Sequence, residues 1–264
     1  MAAEPDLHRP TLRVLDALEA ISQHPEGCTL TDVADAIGAS KSTLVPVLRT
    51  MERRGFISMD PESSRYLIGI RSFAVGSAFS EGESLVALIR AEMESLVGAC
   101  SETCQLGVLD GGNVFYVAKV DSPEPIRMIS SIGMRVPAYC SAIGKALLSD
   151  CTAERLHELY PDALRHLTPK TVATVDDLAA MISSQRKEGL FTEHEESTRG
   201  LACFAVPLRR EGSIVAAVSV SVPLFRLDDA KATAVERELR VFRPRAERLI
   251  EAYPGDDGIL SLQQ

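Results

Sequence analysis

The chain has 264 residues, of which 45% are hydrophobic and 25% charged, and its formal net charge is −9. This length favours two domains, because a typical domain holds roughly 100–200 residues. The negative charge argues against a general polyanion binder. No apolar run approaches the roughly 20 residues of a membrane span, and the N-terminus lacks the regions of a signal peptide. We therefore expect a cytoplasmic protein without a membrane partner.

Residues 29–57 have the pattern of two short helices joined by a tight turn. Thr29 or Thr31 is suited to cap the first helix, and Ser40 or Ser42 the second, because their side-chain oxygens can accept from free backbone N–H groups. Short polar and cationic side chains crowd the start of the second helix, where a helix-turn-helix protein meets phosphates and base edges. The pattern predicts a DNA-reading unit.

The charge of this region is local. Residues 40–54 hold four basic residues and one acidic residue, a balance of +3, whereas residues 1–69 together carry −3. DNA binding would therefore use one patch, duplicated by oligomerisation. A helix at 10–24 and two short strands at 56–59 and 65–68 complete a winged helix-turn-helix. The predicted DNA-contacting residues are Thr29, Ser40, Lys41, Ser42, Thr43, Val45, Arg49 and Arg65.

Within this set, the residues expected to face the groove are Ser42, Thr43 and Val45. Lys41 and Arg49 are expected to contact phosphates. The arginine at the edge of the wing has two interpretations: it lies along the phosphate backbone, or it is only solvated.

The second half of the chain follows a linker helix at 70–83, in which Phe73 and Phe79 would suit pairing with a second subunit. A helix at 84–99 precedes strands at 102–109 and 114–120, which an Asp-Gly-Gly-Asn hairpin turn joins. The later elements are predicted as a third strand at 126–132, a loop at 133–138, helices at 141–149, 152–160 and 174–189, an acidic loop at 192–199 and a final helix at 228–253, kinked at Pro244. The predicted domains are 1–69, 70–83, 84–254 and a flexible tail at 255–264.

Alternation in residues 201–222 predicts a pocket. One side of the two strands is apolar and includes every even-numbered residue from 214 to 222, whereas the other side is small and partly polar. A three-residue Arg-Glu-Gly hairpin loop would place Cys203 opposite Ser219 and Leu201 opposite Ser221. The alternative is a solvated outer face, but the second strand contains no Lys, Glu or Arg. Small hydroxylated side chains leave room and hydrogen bonds for a small ligand.

Glu193, His194 and Cys203 are residue types that enzymes and metal sites use. The chain has no nucleophile elbow, zinc-protease or phosphate-loop motif, however, and a carboxylate cluster in a loop is usually a solvated surface. The six cysteines are scattered without paired spacing, so we expect buried thiols. The sequence therefore predicts no catalytic residue, no metal and no cofactor.

Four blocks resemble the IclR family of bacterial transcriptional regulators over nearly the whole chain. They are SKSTLVPVLRTMERRGFI, YVAKVDSPEPIRMISSIGMRVPAYCSAIGKALLS, GLFTEHEESTRGLACFAVPL and GSIVAAVSVSVP. The resemblance implies an α+β protein with an N-terminal winged helix-turn-helix, a linker helix and a C-terminal GAF-like effector-binding domain with a curved antiparallel sheet. It also implies a dimer or dimer of dimers that binds palindromic operators in double-stranded promoter DNA and represses or activates neighbouring operons.

The family's effector pocket maps onto Met128, Val136, Ala142, Ile143, Glu193, Leu201, Cys203, Ser219 and Ser221. Family effectors are often small carboxylates or aromatic acids. The two serine hydroxyls and the backbone N–H groups of Ala142 and Ile143 would suit an anionic head group. Two residues depart from the family pattern. Ile143 stands where a small or polar residue is common, and Glu193 where Asp is common, so either change could alter the choice of effector.

A third departure lies in the DNA-reading unit at residues 29–57, called the reading head below. Pro46 stands there in a position that family members commonly fill with Arg. In a helix that begins at Lys41, this proline removes the hydrogen bond to the Ser42 carbonyl and costs roughly 3 kcal/mol. The helix is therefore expected either to kink or to begin later.

These observations predict a DNA-binding repressor whose operator binding is modulated by a small-molecule effector, a small organic or aromatic acid. One alternative is a metabolite- or metal-sensing protein that acts through protein contacts rather than DNA. The other is a small-molecule enzyme that uses Glu193, His194 and Cys203.

Overall fold

Three helices and a β-hairpin form the first part of the chain. The computed structural model describes residues 7–77 and 85–253, which divide between two units, Met1–Gly82 and Glu83–Gln264. The elements of the first unit are α1 (Arg9–Ser22), α2 (Leu30–Ala36), α3 (Lys41–Arg53), β1 (Ile57–Asp60), β2 (Arg65–Ile68) and α4 (Ile70–Ser77). The two strands pair antiparallel, and a separate bridge joins Cys28 to Tyr66. This arrangement is the predicted winged helix-turn-helix.

The core of this unit comes mainly from the apolar sides of its helices, with contributions from the segment before α2 and from β1. It consists of Ala17, Ile21, Cys28, Val33, Ala34, Leu44, Leu48, Met51 and Ile57. Because Leu44, Leu48 and Met51 recur every three or four residues, they turn one side of α3 inward. The opposite side, which carries the predicted DNA contacts, is left to solvent.

The second unit is built on one six-stranded antiparallel sheet. Its order is β5 (Arg135–Pro137), β4 (Asn113–Val120), β3 (Thr103–Asp110), β8 (Ser213–Pro223), β7 (Leu201–Arg210) and β6 (Phe191–His194). The α-helices of this unit are α5 (Leu85–Cys100), α6 (Ala142–Leu147), α7 (Ala153–Leu159), α8 (Val175–Arg186) and α9 (Asp229–Ala252). This sheet and these helices are the predicted α+β effector-domain architecture.

The sheet carries a separate core on each face. One core packs α5 and α9 against residues such as Phe204, Val218 and Val220. The other packs α6, α7 and α8 against Leu201 and Cys203. The alternation of β7 and β8 therefore sends one set of side chains to each core, whereas the sequence predicted a core on one face and a pocket on the other.

The predicted third strand at 126–132 is wrong. The chain is irregular there, and β5 instead occupies Arg135–Pro137, where the sequence predicted a loop. Ile126, Ile129 and Ile132 are spaced by three residues, which cannot place them on one side of a strand, and all three are exposed.

The predicted register of the β7–β8 hairpin is also wrong. Glu211 and Gly212 both have positive φ, so the turn has two residues rather than three, and Cys203 lies opposite Ser221. Ser219 lies opposite Ala205, and Leu201 opposite Pro223. The register shifts after Leu208, and this irregularity moves Ile214 to the core that contains Leu201.

The linker helix α4 is described over Ile70–Ser77, and Phe73 is exposed on it. Phe79, the junction at 83–84 and the tail at 255–264 lie outside the described residues. The final helix is continuous through Pro244 from Asp229 to Ala252. Of the helices in residues 7–77 and 85–253, none combines the length and apolar character of a membrane span.

Candidate functional site

The first helix of the reading head is fixed by a reciprocal cap. The Thr29 hydroxyl accepts a hydrogen bond from the backbone N–H of Asp32, whose carboxylate accepts one from the N–H of Thr29. Of the two threonines considered, Thr29 is therefore the cap. The turn to α3 then passes through Gly38, whose φ of +60° suits a residue without a side chain.

The second helix begins with a cluster of hydroxyl groups. Ser40 caps it, because its Oγ accepts from the N–H of Thr43 at 3.3 Å. The hydroxyls of Ser42 and Thr43 lie 3.0 Å and 2.8 Å from the Ser40 Oγ. Lys41, Ser42, Val45 and Arg49 are exposed, and Thr43 is half-buried. The structure thus brings six of the predicted contacts, those from Ser40 to Arg49, to one helix.

Pro46 lies within this helix and is exposed. Because α3 begins at Lys41, the predicted alternative of a late start is wrong. The Pro46 carbonyl accepts from the Thr50 hydroxyl at 2.8 Å. The proline therefore occupies the outward part of α3 between Ser42 and Arg49, where it adds neither a charge nor a hydrogen-bond donor.

Arg65 is held within its own domain. Its Nη1 donates to the Gly27 carbonyl at 2.7 Å, and the residue is half-buried. The guanidinium thereby fixes the start of the wing against the segment before α2. Neither of the two interpretations, a phosphate contact or a freely solvated side chain, anticipated this bond.

The second unit contains a cavity of about 630 Å³. Eight of the nine predicted effector residues line it: Met128, Val136, Ala142, Ile143, Leu201, Cys203, Ser219 and Ser221. Its volume falls within the range of about 300–1,000 Å³ that is usual for small-molecule sites. The alternation of β7 and β8 thus marks a ligand-sized space rather than a solvated face.

Behind the buried wall of this cavity lies a residue that the sequence did not point to. Gln105 on β3 is fully buried opposite Ser219, and its Oε1 accepts from the hydroxyls of Ser219 and Ser221, both at 3.2 Å. The Cys203 thiol donates to the Ser221 hydroxyl at 3.4 Å. The two serine hydrogens expected to serve an anionic ligand are therefore already used within the protein.

Glu193, the ninth predicted residue, does not line the cavity. It lies opposite Cys203 on β6 and is buried, and its carboxylate accepts from the Glu196 N–H at 2.8 Å and the Ser197 hydroxyl at 3.2 Å. Burial raises its pKa above the usual value. Glu193 therefore holds the loop that borders the cavity, and its carboxylate is engaged by groups of the protein itself.

The acidic loop is only partly solvated, contrary to expectation. Glu196 is buried with Lys145 of α6, and Lys145 Nζ lies 2.5 Å from Glu196 Oε1 and 3.3 Å from the Thr192 carbonyl. Within residues 7–77 and 85–253, Glu196 Oε2 is the only buried side-chain oxygen or nitrogen without a hydrogen-bond partner. This ion pair joins the loop to the wall of the cavity.

Three arginines at the outer part of the cavity were also missed: Arg127, Arg135 and Arg199. Arg127 pairs with Asp121 at 3.3 Å and Arg135 with Asp110 at 2.8 Å, and both side chains remain about 40% exposed. No strand or helix periodicity pointed to them, because two of them lie in irregular segments. They place three guanidinium groups at the outer border of the cavity, two of them in ion pairs with aspartates.

The arrangement does not support the enzyme interpretation. Neighbouring residues of β6 point to opposite faces, so Glu193 lies on the side of Cys203 while the exposed His194 packs near Phe204. Burial raises the pKa of the Cys203 thiol well above its usual value, which keeps the sulfur protonated. The part of the chain that the structure describes contains no cluster of three or more His, Cys, Asp or Glu able to hold a metal.

Sequence relatives agree with this architecture. The HTH-type transcriptional regulator KdgR of Escherichia coli (strain K12) is 30% identical over 230 residues, which cover 86% of this chain and 87% of KdgR. The transcriptional repressor IclR of the same organism is 30% identical over 225 residues, which cover 84% of this chain and 82% of that protein.

The fold is shared with an IclR homologue from Microbacterium hydrocarbonoxydans that was crystallised in complex with 4-hydroxybenzoate. Its TM-score is 0.74 at 21% identity, over 90% of this chain and 99% of that one. Family models match both units. Residues 10–61 match the IclR helix-turn-helix domain, and residues 79–242 match the model described as the bacterial transcriptional regulator IclR C-terminal domain. The chain belongs to the IclR family of bacterial transcriptional regulators.

Proposed function

We propose that this regulator is a repressor that binds palindromic promoter DNA through α3 and responds to a small acid held in the cavity of its second unit. The observation that carries the proposal is the coexistence of an exposed, polar and cationic face on α3 with a cavity of about 630 Å³ in the second unit. A relative that is 30% identical is named a transcriptional repressor. As a DNA-binding protein without catalytic function, it would act in the cytoplasm.

The proposed DNA contacts follow from exposure along α3. Ser42 and Val45 face outward and would meet base edges, with Thr43 beside them, whereas Lys41 and Arg49 would neutralise phosphates. A palindromic operator requires two such heads, so we propose a homodimer or a dimer of dimers. We also propose that residues 1–69 form the DNA-binding domain, residues 70–83 the linker helix and residues 84–254 the effector-binding domain.

The proposed effector is a small organic or aromatic acid. The arginines at the outer part of the cavity, and the backbone N–H groups of Ala142 and Ile143 in the first turn of α6, provide groups suited to a carboxylate. The 4-hydroxybenzoate found with a structural relative belongs to this class. Effector binding would favour one of two arrangements of the reading heads and so change their fit to the half-sites.

A DNA-binding assay with the promoter fragment upstream of the protein's own gene tests the proposal. We expect binding that weakens steeply with salt, and a salt slope that falls by about 0.9 in Arg49→Ala, which removes one phosphate contact. Arg155→Ala, which changes an exposed arginine of the second unit, is the matched control. Absence of binding to any promoter fragment at low salt would instead favour the protein-contact alternative.

A further inference from the structure

One side of the cavity is an irregular stretch of chain at residues 197–200. All four of these residues line the cavity, and they lie between β6 and β7 in bends and turns rather than in a strand or helix. Such a stretch has no hydrogen-bond ladder of its own, so contacts from other segments must fix its shape. Here the contacts come from a turn at residues 167–171.

Two threonine hydroxyls of this turn bind the backbone of the acidic loop at 192–199. Thr168 Oγ1 donates to the Glu195 carbonyl at 2.5 Å, and Thr171 Oγ1 donates to the Glu196 carbonyl at 2.7 Å. The two threonines are 7% and 5% exposed. A buried carbonyl that loses its donor cannot turn to water instead, so these bonds are costly to break. We call the two bonds the threonine clasp.

The Thr171 hydroxyl also shapes the turn that carries it. It accepts from the backbone N–H groups of Leu167 at 3.0 Å and Thr168 at 2.9 Å, while its own hydrogen goes to the acidic loop. The one hydrogen and both lone pairs of the hydroxyl are then used. Because Leu167 lines the cavity, this single side chain joins the turn, the acidic loop and the border of the cavity.

Glu195 shows that the acidic loop is held in a strained conformation. Its φ is +59°, in the left-handed region that a residue with a side chain seldom adopts. Its N–H donates to the Leu201 carbonyl at 2.8 Å, and its carboxylate accepts from the Gly200 N–H at 2.8 Å and pairs with Lys170 at 2.6 Å. Strained backbone persists only where the surrounding contacts fix it. Loss of the threonine clasp therefore favours relaxation of the loop.

Glu196 connects the threonine clasp to another wall of the cavity. Its carbonyl accepts from Thr171, and its carboxylate pairs with Lys145 of α6, the helix whose first turn lines the cavity. The turn at 167–171, the acidic loop and α6 are thus joined by polar contacts. Neither threonine of the clasp lines the cavity, and both belong to the second unit.

We propose that Thr168 and Thr171 are positioning residues of the effector site: their hydroxyls hold the acidic loop in the conformation in which residues 197–200 form a wall against the ligand. They act on effector affinity without touching the effector, and they leave operator binding in the absence of effector unchanged. The inference rests on the proposed function, because it takes the cavity as the effector site.

Hydrogen exchange of the full chain without ligand tests the clasp directly. Thr171→Val keeps the shape of the side chain and removes the hydroxyl, whereas Thr171→Ser keeps the hydroxyl. An unpaired buried carbonyl shifts a local opening equilibrium by roughly 5- to 150-fold, so amide exchange at residues 195–200 should accelerate by about that factor in the valine variant. Exchange in the serine variant should stay close to that of the unmodified protein. An unchanged exchange rate in Thr171→Val overturns the proposal.

Isothermal titration calorimetry without DNA tests the effect on ligand affinity. The probes are 4-hydroxybenzoate, benzoate and butyrate. Apparent affinity falls with the population of the binding-competent conformation, so an acid that binds the unmodified protein should bind Thr171→Val more weakly, by up to the same roughly 150-fold factor. Thr171→Ser should restore the affinity. Equal affinity of the valine and serine variants, or no binding of any of the three acids to the unmodified protein, overturns the proposal.

Thr233→Val is the matched control. The Thr233 hydroxyl also donates to a backbone carbonyl, that of Asp229 at 2.8 Å, but it lies exposed on α9. This variant should change neither the exchange at residues 195–200 nor the affinity for the acids. Thr168→Val removes the other bond of the clasp and gives a second route should Thr171→Val fail to fold.

Operator binding without ligand is measured in parallel for every variant. Intact operator binding with weakened acid binding in the valine variants supports the positioning role. Loss of operator binding in both valine variants would show a general effect on folding and overturn it. Intact operator binding with equal acid affinities rejects this inference alone, whereas absence of operator binding by the unmodified protein rejects the proposed function.

Discussion

Lys145 and Glu196 form an ion pair that is closed to water, although the two residues are 51 positions apart in the sequence. Their side chains are 0% and 10% exposed, and Lys145 Nζ lies 2.5 Å from Glu196 Oε1. Two desolvated charges are stabilised by each other, so removing either partner leaves an uncompensated charge in the interior. The pair is the contact that joins α6, on one wall of the cavity, to the acidic loop at 192–199.

We expect Lys145→Ala to lower the free energy of unfolding by about 3–5 kcal/mol, because Glu196 then stays buried without its counter-charge. Urea denaturation followed by circular dichroism measures the loss. The matched control is Arg155→Ala, which breaks the exposed pair with Glu158 and should cost less than about 1 kcal/mol. Similar losses in the two variants would show that the buried pair stabilises the protein no more than the exposed pair does.

Gly144 in α6 should not tolerate a side chain. A Cβ at this position would lie 2.2 Å from the Ala138 carbonyl oxygen and 2.3 Å from the Ala138 Cα, which are backbone atoms that cannot turn aside. Gly144→Ala is therefore expected to destabilise the protein by about 1–3 kcal/mol or more and to distort the cavity wall. Thermal unfolding provides the measurement.

Gly98 is the control for this substitution. It lies within α5, and nothing stands within 4 Å of the position that its Cβ would take. Gly98→Ala should raise the free energy of unfolding by roughly 0.5–1 kcal/mol, because alanine loses less backbone entropy in a helix. The prediction for Gly144 is wrong if both substitutions change the melting temperature in the same direction.

The features that the sequence predicted correctly are those that depend on local periodicity. The inward stripe of α3 and the two faces of β7 and β8 followed from spacings of three to four and of two residues. Eight of the nine residues assigned by family resemblance line the cavity, and four of them had also been placed on one face by alternation.

What sequence reasoning missed depends on contacts between distant segments. Gln105 meets Ser219 only because β3 pairs with β8, and no local pattern encodes that pairing. Lys145 and Glu196 are joined in the same way. The hairpin register depends on whether the loop at the Arg-Glu-Gly segment has two or three residues. Glu211 and Gly212 both have positive φ and form a two-residue loop, which local sequence did not distinguish from the longer one.

Glu193 should make stability depend on pH. Burial raises its pKa in the folded protein above the usual 4.5, so the folded state holds the proton more tightly than the unfolded state. Its contribution is fully present below the unfolded pKa and is lost as pH rises through the raised folded pKa. The free energy of unfolding of the unmodified protein relative to Glu193→Gln should therefore fall with pH, by up to about 1.4 kcal/mol per unit within that window.

Urea denaturation at a series of pH values above 4.5 tests this expectation. Glu154→Gln gives a control of opposite sign, because hydrogen bonds to its own backbone N–H and to Thr152 lower the pKa of Glu154. Its contribution is present above the unfolded pKa and is lost as pH falls. A relative stability of Glu193→Gln that does not vary with pH would mean that the carboxyl group is not perturbed by burial.

Pro46 should lower both the stability of α3 and the number of phosphate contacts that this helix makes with DNA. It lies inside α3, where its missing N–H leaves the Ser42 carbonyl without the usual helical partner. Pro46→Ala is expected to raise the free energy of unfolding by up to about 3 kcal/mol without changing the salt slope of operator binding. Pro46→Arg should give a similar gain in stability and also increase that slope by about 0.9, since it adds one phosphate contact. A steeper slope in the alanine variant would instead show that the proline acts by misplacing Lys41 and Arg49, because alanine itself adds no charge.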